Sequence, residues 1–303
     1  MGVASLERIL CADPGDLGTW RAYGELLRER GDARGRLIEL DLRLAREDRD
    51  DRRRALSAEI ELLTQEHRER WDAELPAGVQ AVARVHGFAT KVAVAWEPEA
   101  PARIAEALTS RLVTGLRIRP GSAAEEADAE YLSDAPDFDE HDMPLPPPPH
   151  EADALADLDF GGIRELDLSY FRFADPGARH LAAATSGGRI DTLDLRYCGI
   201  GDDGVAALAA SPIFADVRRL HLQHNRLTGA GVRELTRFAR LRELDLRYNR
   251  IGADGARALA EAPFAGSLRR LLAHRQDVSD AGVRILASAT GLPSALRSFW
   301  RSV

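Results

Sequence analysis

A tandem repeat between residues 163 and 286 constrains the fold of this chain more than any other feature of its sequence. Five strings follow the pattern aliphatic-x-x-Leu-x-Leu or a close variant, and they begin at Ile163, Ile190, Val217, Leu241 and Leu268. Successive strings start 27, 27, 24 and 27 residues apart, and a glycine follows each of them in phase. A period of this length is typical of solenoid proteins, in which each unit buries its apolar side against its neighbours.

Each unit predicts a short strand followed by a helix. The two inner leucines of a string lie two positions apart, so they point to the same face of a strand. The next segment is rich in alanine and has the apolar spacing of a helix, with predicted N-caps at Asp175, Asp202, Thr228 and Ser279. Stacked units of this kind would place parallel strands on a concave face and helices on a convex face.

These strings resemble leucine-rich repeats, and most closely the ribonuclease-inhibitor-like type. That type has the pattern L-x-x-L-x-L-x-x-N/C-x-L followed by a helix, and its polar position is filled here by Asn225, Asn249 and Cys198. The first and last units depart from the pattern, with Phe171 and Gln276 at that position. The resemblance implies an α/β fold, a leucine-rich repeat solenoid.

The first 75 residues predict a small all-α domain of four helices. Asp13 and Pro14 form a cap-and-proline signal between the first two helices. The Asp-Pro turn, Trp20 with Tyr23, and the string R-G-x-x-I-x-L resemble the repeat-companion domain that precedes leucine-rich repeats in bacteria. That resemblance implies a bacterial source and carries no defined activity. Trp20 and Tyr23 are predicted core aromatic residues.

Two weaker strings, centred on Val92 and Leu116, extend the strand pattern toward the N-terminus, and we interpret them as degenerate repeats. One curved sheet is therefore predicted, with strands near Val92, Leu116, Leu166, Leu193, Leu220, Leu244 and Leu271. The expected organisation is a repeat-companion domain at 1–75, degenerate repeats at 76–120, an acidic Pro-rich insertion at 121–160 and the repeat domain at 161–303. Leu296, Phe299 and Trp300 are predicted to form its C-terminal cap.

The insertion at 121–160 interrupts the period. It holds thirteen Asp and Glu residues, no Lys or Arg, and the prolines at 144 and 146–149. One interpretation is a solvated loop that is too polar to fold. The other is an acidic arm that docks a basic partner or covers arginines of the chain itself. Both predict weak order for residues 133–150.

Net charge, apolar runs and cysteine positions limit the kinds of partner and the cellular compartment that we expect. The net charge of −8 argues against a nucleic-acid partner, and no apolar run is long enough for a membrane span. Cys11 and Cys198 lie far apart and form no metal-like pair, which fits a reducing cytosol. We therefore expect a cytoplasmic monomer with neither a nucleic-acid nor a membrane partner.

No catalytic motif is present in the sequence, so the chain is predicted to be non-enzymatic and to use no cofactor. His221 and His224 are three positions apart, and three positions on a strand mean opposite faces. They are therefore a poor chelate even with His274 two units on, and no metal site is predicted.

Three columns of side chains along the predicted concave face form the candidate binding site. The first column is Asp167, Asp194, His221 and Asp245; the second is Ser169, Arg196, Gln223, Arg247 and His274; the third is Tyr170, Tyr197, His224 and Tyr248. Because neighbouring strands lie about 4.8 Å apart, each column should be a continuous ladder. The aspartates would either pair with the arginines or solvate the face. Tyrosine and arginine are enriched at binding hot spots. The predicted partner-binding residues are Tyr170, Arg196, Tyr197, His221, His224, Arg247, Tyr248 and His274.

These features favour a protein–protein interaction module that binds a protein partner on the concave face. The alternative is a regulator or inhibitor of an enzyme. Ribonuclease-inhibitor-like repeats occur in inhibitors and in GTPase activators, so that resemblance would make the target a nuclease, a toxin or a small GTPase.

Overall fold

The computed structural model describes residues 2–126, 148–184 and 189–302. Its strands are β1 (Val79–Val85), β2 (Phe88–Ala95), β3 (Gly115–Arg119), β4 (Glu165–Asp167), β5 (Thr192–Asp194), β6 (Arg219–His221), β7 (Glu243–Asp245) and β8 (Arg270–Leu272). Its helices are α1 (Val3–Ala12), α2 (Leu17–Glu29), α3 (Arg34–Leu44), α4 (Asp50–Asp72), α5 (Ala100–Ala107), α6 (Ala174–Ala183), α7 (Asp202–Ala210), α8 (Gly229–Leu235), α9 (Gly252–Glu261), α10 (Arg275–Ser288) and α11 (Ser294–Ser302).

The fold is mixed α/β, and the chain divides into two compact units. The first comprises Met1–Val94 with Ala102–Leu116, and the second comprises Ala95–Pro101 with Arg117–Val303. β1 pairs antiparallel with β2, whereas β4 to β8 pair in parallel. Strands occur at all seven predicted positions.

Helices α1 to α3 of the first unit share an apolar core, to which Leu112 also contributes. Asp16 caps α2, because its carboxylate accepts hydrogen bonds from the N–H groups of Gly18 and Thr19. Trp20 and Tyr23 are buried, which confirms that they are core residues. The core cluster consists of Leu6, Leu10, Trp20, Tyr23, Leu27, Ile38, Leu42 and Leu112.

A β-hairpin formed by β1 and β2 packs among these helices and was not predicted. Its turn residues His86 and Gly87 have φ values of 50° and 85°, in the left-handed region. Phe88 follows the turn and stacks on Tyr23 with ring centroids 5.4 Å apart, and the Arg34 guanidinium lies 4.7 Å from the Phe88 ring centroid. The four helices lie within residues 1–75, and the hairpin follows them in the same compact unit. β1 escaped prediction because a His-Gly turn is a weak hairpin signal and the strand carries little apolar alternation.

The second unit contains the five predicted repeats, each a three-residue strand followed by a helix. Register aligns Leu166 with Leu193, Leu193 with Leu220, Leu220 with Leu244, and Leu244 with Leu271. All five leucines are buried. The strings of the sequence thus form adjacent parallel strands, as predicted.

Two buried asparagines bridge neighbouring units at the turn after the strand. Asn225 Nδ2 donates to Leu195 O at 2.7 Å, and its Oδ1 accepts from Ile200 N at 2.9 Å. Asn249 repeats the arrangement one unit later with Leu222 O and Leu227 N. Each amide satisfies backbone groups of the preceding unit, which explains why the repeat pattern requires a polar residue there.

The predicted N-caps are only partly right. Thr228 Oγ1 accepts from Ala230 N at 3.1 Å and caps α8 as expected, and Ser279 accepts from Gly282 N at 3.4 Å beside a kink within α10. Asp175 and Asp202 lie inside the first turns of α6 and α7 rather than at their caps. Their carboxylates instead reach the next unit. The prediction was wrong for these two because spacing within one unit does not reveal a partner in the next.

The phased glycines make room for those carboxylates. Asp175 Oδ1 accepts from Gly201 N at 2.6 Å and from Gly204 N at 3.0 Å. A methyl group added at Gly204 would overlap this oxygen, and one added at Gly231 would overlap Asp202 Oδ1. Glycine at these positions therefore permits the close approach of neighbouring units.

Different contacts are made near the two ends of the five repeats. On the N-terminal side, His150 is buried. Its backbone N–H donates to Arg172 O at 2.7 Å, and its ring Nδ1 accepts from Arg172 N at 3.2 Å. The expectation of weak order is therefore wrong for His150; residues 133–147 of that expectation lie outside the described residues. On the C-terminal side, α11 packs against α10 and buries Trp300, but Phe299 is 48% exposed.

Among the described helices, none combines the length and the apolar character needed to cross a membrane.

Candidate functional site

Parallel pairing makes the three predicted columns continuous. Asp167 lies beside Asp194, Asp194 beside His221, and His221 beside Asp245. The second column begins two residues further along the chain from the first, at Ser169 in the first of the five repeats. The third column follows directly, at the ends of the strands. The structure therefore brings the predicted site residues together on one surface of the second unit.

Five aromatic rings stack into one row, which we call the ring ladder: Tyr170, Tyr197, His224, Tyr248 and His274. Ring centroids are 4.6 Å apart between Tyr170 and Tyr197, 4.2 Å between Tyr197 and His224, and 3.9 Å between His224 and Tyr248. The first two pairs are nearly parallel, at 10° and 14°. His274 lies 4.7 Å from Tyr248 in an edge-on contact. It belongs by sequence to the second column, so its place in the ladder was not predicted.

The backbone under the ladder is left-handed. The φ values of Tyr170, Tyr197, His224 and Tyr248 are 68°, 59°, 53° and 59°. A residue with a Cβ atom adopts this conformation at a cost of roughly 1 kcal/mol. Ring stacking contributes about 0.5–1.5 kcal/mol per pair and offsets that cost. Cross-unit hydrogen bonds, such as Tyr197 N–H to Gln223 O at 3.1 Å, hold the turns in place.

Arg196 and Arg247 are each held by an aspartate two residues earlier. Arg196 donates from Nε to Asp194 Oδ1 at 2.8 Å and from Nη2 to Asp194 Oδ2 at 2.6 Å. Arg247 binds Asp245 in the same way, at 2.9 Å and 2.6 Å, and also donates to Gln223 Oε1 at 2.9 Å. Hydrogen bonds to these carboxylates raise the pKa of both guanidinium groups, so both remain charged.

The aspartate column does not solvate the face. Asp167, Asp194 and Asp245 are only 6%, 7% and 6% exposed. Of the two roles considered for them, pairing with arginine is the one that the structure supports, and solvation of the face is wrong. Buried carboxylates need such partners because desolvating an unpaired charge is costly.

Asp194 has the most strongly shifted carboxyl pKa in this surface. Burial alone would raise its pKa, but hydrogen bonds from His221 and Arg196 and the charge of Arg196 outweigh burial and lower the pKa to about 2. His221 Nδ1 lies 3.6 Å from Asp194 Oδ2, across the boundary between two units. Asp194 therefore stays ionised at neutral pH and links its own unit to the next.

A shallow depression of about 260 Å³ lies between the second and fifth strands of the repeats. Its lining residues are Asp194, Arg196, His221, Gln223, Glu243, Leu244, Asp245, Arg247, Arg270 and Leu272. It contains three of the eight predicted binding residues. Arg270 and the arginines beside it were not among the predicted binding residues, although the strings VRRL and LRRL each contain a pair of arginines.

His221 and His224 are not arranged to bind one metal ion. His221 faces Asp194, whereas His224 is enclosed in the ring ladder. In the described ranges, no group of three or more His, Cys, Asp or Glu side chains is placed to hold a metal ion. Cys198 is buried, its thiol donates to Leu168 O at 3.1 Å, and burial raises its pKa, so it fills the polar position of its repeat as a structural residue.

The centre of this surface lies in segments that match the model of a protein family. Three segments, at residues 191–209, 216–235 and 241–260, match the model of the family described as Leucine Rich repeat. These three segments are similar to leucine-rich repeats. The three matched segments contain Tyr197, His224 and Tyr248, the middle of the ring ladder. A comparison with curated proteins gave no match.

Leucine-rich repeats generally mediate protein–protein interaction and generally act without catalysis. In the second unit of this chain, the polar side chains of the sheet surface are arranged as charge pairs and stacked rings. This chemistry suits recognition of a surface, since hot spots commonly combine Tyr and Arg anchors.

Proposed function

We propose that the chain is a non-enzymatic module that binds a protein partner on the concave face of a leucine-rich repeat solenoid. The ring ladder is the observation that carries the proposal. Tyr170 and Tyr248 are 53% and 46% exposed, yet their rings are held in fixed positions by stacking. A rigid aromatic row offers contact area with little further loss of conformational entropy on binding.

The arginine pairs beside the ladder add directional polar contacts. Asp194 and Asp245 occupy the Nε and Nη2 donors of Arg196 and Arg247. No acceptor in the described part of the chain binds Nη1 of either arginine through a hydrogen bond. Since the guanidinium group is planar, fixing one side orients the other toward a partner carboxylate or carbonyl.

The sequence resemblances complete the proposal. Residues 1–75 would be a repeat-companion domain and residues 76–120 degenerate repeats, in a bacterial, cytoplasmic and monomeric protein. The insertion at 121–160 would contribute as an acidic arm or remain a solvated loop. These features do not change which surface of the second unit is tested first.

A double substitution in the ladder tests the proposal. The purified chain is used to capture its partner from the source cells, and the purified partner is then titrated by calorimetry. Tyr197→Ala with Tyr248→Ala should weaken binding by about 2 kcal/mol or more, a factor of roughly 30. The double variant must be folded at the titration temperature, as judged by circular dichroism, because the loss of ring stacking also lowers its stability.

Two controls separate recognition from folding. Tyr197→Phe with Tyr248→Phe keeps the stacked rings and should keep most of the affinity. Arg179→Gln with Arg233→Gln changes exposed positions on α6 and α8 and should leave affinity unchanged. If the folded alanine variant binds as tightly as the original chain, the binding site lies elsewhere.

A further inference from the structure

The opposite ends of the repeat strands carry a row of arginines that the ring ladder does not use. We call it the arginine edge: Arg218, Arg219, Arg242, Arg269 and Arg270. Arg242 N–H donates to Arg218 O at 2.8 Å, and Arg269 N–H donates to Arg242 O at 2.7 Å. These arginines therefore lie on adjacent strands, about 4.8 Å apart. Strand register places Arg219 and Arg270 on either side of Glu243.

Within the described part of the chain, most of the positive charge on this edge has no counterion. Arg218 lies 3.7 Å from Asp191, and Arg219 Nε donates to Thr192 Oγ1 at 2.8 Å. Across residues 2–126, 148–184 and 189–302, no carboxylate lies within 4.0 Å of Arg242, Arg269 or Arg270. All three are exposed. Like charges at this spacing repel one another, so binding of an anionic partner would lower the electrostatic free energy of the row.

Two further arginines extend the positive surface below the edge. Arg189 and Arg240 both bind Asp216, at 2.9 Å and 2.8 Å, so one carboxylate is shared by two guanidinium groups. That cluster keeps a net positive charge. Positive charge is therefore concentrated along one end of the sheet, although the whole chain has a net charge of −8.

We propose that the arginine edge binds an acidic segment of a protein partner. An extended segment with Asp or Glu at alternate positions presents carboxylates about 6–7 Å apart on one side. Each guanidinium can bind a carboxylate through two parallel hydrogen bonds, which an ammonium group cannot do. The edge thus offers a row of carboxylate sites crossing several strands.

The interruptions in the row favour a peptide over a nucleic acid. Glu243 stands in register between Arg219 and Arg270, and Asp191 lies beside Arg218. A phosphate backbone carries charge at every nucleotide and would meet these carboxylates. An acidic peptide can place neutral residues opposite them and keep its carboxylates opposite the arginines.

This inference goes beyond the ring ladder, because it assigns a second row of residues and the chemistry of its partner, although Arg270 borders the depression that Arg196 and Arg247 also line. No residue of the arginine edge belongs to the ladder. Loss of binding at one surface therefore leaves the other testable.

A labelled acidic peptide tests the inference on the full chain. The probe is a fluorescein-labelled peptide of about twelve residues with alternating Glu and Ser, roughly 40 Å long when extended. Fluorescence anisotropy measures its affinity. The variant Arg242→Gln, Arg269→Gln, Arg270→Gln should bind about tenfold more weakly, as expected from losing three exposed ion pairs. Raising the salt concentration from about 0.05 M to about 0.5 M should remove the difference, because added ions screen these pairs.

Matched controls decide the outcome. The variant Arg179→Gln, Arg233→Gln, Arg257→Gln makes the same charge change on α6, α8 and α9, and it should change affinity by less than about twofold at low salt. Equal losses in the two variants, or equal binding of a peptide with Gln in place of Glu, would overturn the proposal. Tighter binding of a single-stranded oligonucleotide of equal charge would also overturn it, in favour of a nucleic-acid partner.

The acidic insertion of the chain itself carries carboxylates that would compete with the probe for the arginine edge. A variant with a neutralised insertion tests for this competition. In that variant Asp134, Asp137, Asp139 and Asp142 become Asn and Glu140 becomes Gln. A tethered segment has a high effective concentration, so its removal as a competitor would raise affinity for the probe by about tenfold or more. Such a gain would show that the edge is occupied internally and would overturn an external partner. Unchanged affinity supports the proposal.

Discussion

At the scale of single residues, contacts that cross from one unit to the next hold the repeats together. The amides of Asn225 and Asn249 and the carboxylates of Asp175 and Asp202 all bind backbone groups of a neighbouring unit. Most of these partners are 22 to 30 positions away in sequence. Each such residue therefore acts on the interface between units rather than on its own strand or helix.

Gly204 gives the most direct test of this interface. Gly204→Val would place a side chain against Asp175 Oδ1 and Ile200, and overpacking should destabilise the fold by roughly 1–3 kcal/mol. Gly162→Val is the matched control, because a Cβ atom at that position meets nothing within 4 Å. Denaturant unfolding measures both variants. Equal stability of the Gly204 variant and the original chain would contradict the close packing described here.

Asp194 predicts a pH dependence of stability. Its pKa of about 2 in the folded protein is below the value of about 3.9 for an unfolded chain, so folding favours the ionised form. The stabilisation is fully present above about pH 4 and is lost as the pH falls toward about 2; it amounts to roughly 2 kcal/mol. Asp194→Asn should remove this part of the acid-induced loss of stability.

The measurement is urea unfolding of both proteins between about pH 2 and pH 6, where the linkage acts. The stability difference between the original chain and the Asp194 variant should shrink as the pH falls. Asp203→Asn, at an exposed position on α7, controls for the change in net charge. A difference that stays constant across this range would rule out the linkage.

At the scale of secondary-structure elements, α11 distinguishes a buried residue from an exposed one next to it. Trp300 is 1% exposed and Phe299 is 48% exposed. Trp300→Ala should cost roughly 3–5 kcal/mol, because it leaves a large cavity between α11 and the last repeat helix. Phe299→Ala should cost less than about 1 kcal/mol, as an exposed position does. Thermal melts of the two variants should therefore differ clearly; similar melting temperatures would mean that α11 does not cover the array.

The hairpin illustrates a limit of reading elements from local sequence. The spacing around Val92 predicts a strand, and β2 is that strand. Its antiparallel partner β1 was missed, because the residues that stabilise the hairpin, Tyr23 and Arg34, come from helices far earlier in the chain. Patterns within a short window do not contain such contacts.

At the scale of the whole molecule, two deletions distinguish the charged part of the insertion from the part that is hydrogen-bonded to the repeats. Deleting residues 133–147 with a short Gly-Ser bridge should leave the melting temperature within about 2 °C of the original, because like charges and prolines oppose packing. Extending the deletion through residue 150 should lower it by about 3 °C or more. The longer deletion removes the hydrogen bonds between His150 and Arg172. Differential scanning calorimetry compares the two deletions, and equal melting temperatures would show that His150 does not stabilise the array.

The sequence by itself determined the number and position of the repeats, the seven strand positions and the three columns of the candidate site. These features are periodic, and a period survives in the sequence because every unit must bury the same apolar face. The asparagine positions were also evident, since the same backbone groups need a partner in each unit.

Only the tertiary structure decided how the site is arranged. Three features depend on atoms in different repeats: the left-handed turns that stack Tyr197, His224 and Tyr248, the entry of His274 into the ladder, and the hydrogen bond from the Gly201 N–H to the Asp175 carboxylate. The choice for Asp194 between solvation and pairing likewise depends on burial by its neighbours. These properties arise from contacts between residues far apart in sequence, and no local pattern of residue types specifies their geometry.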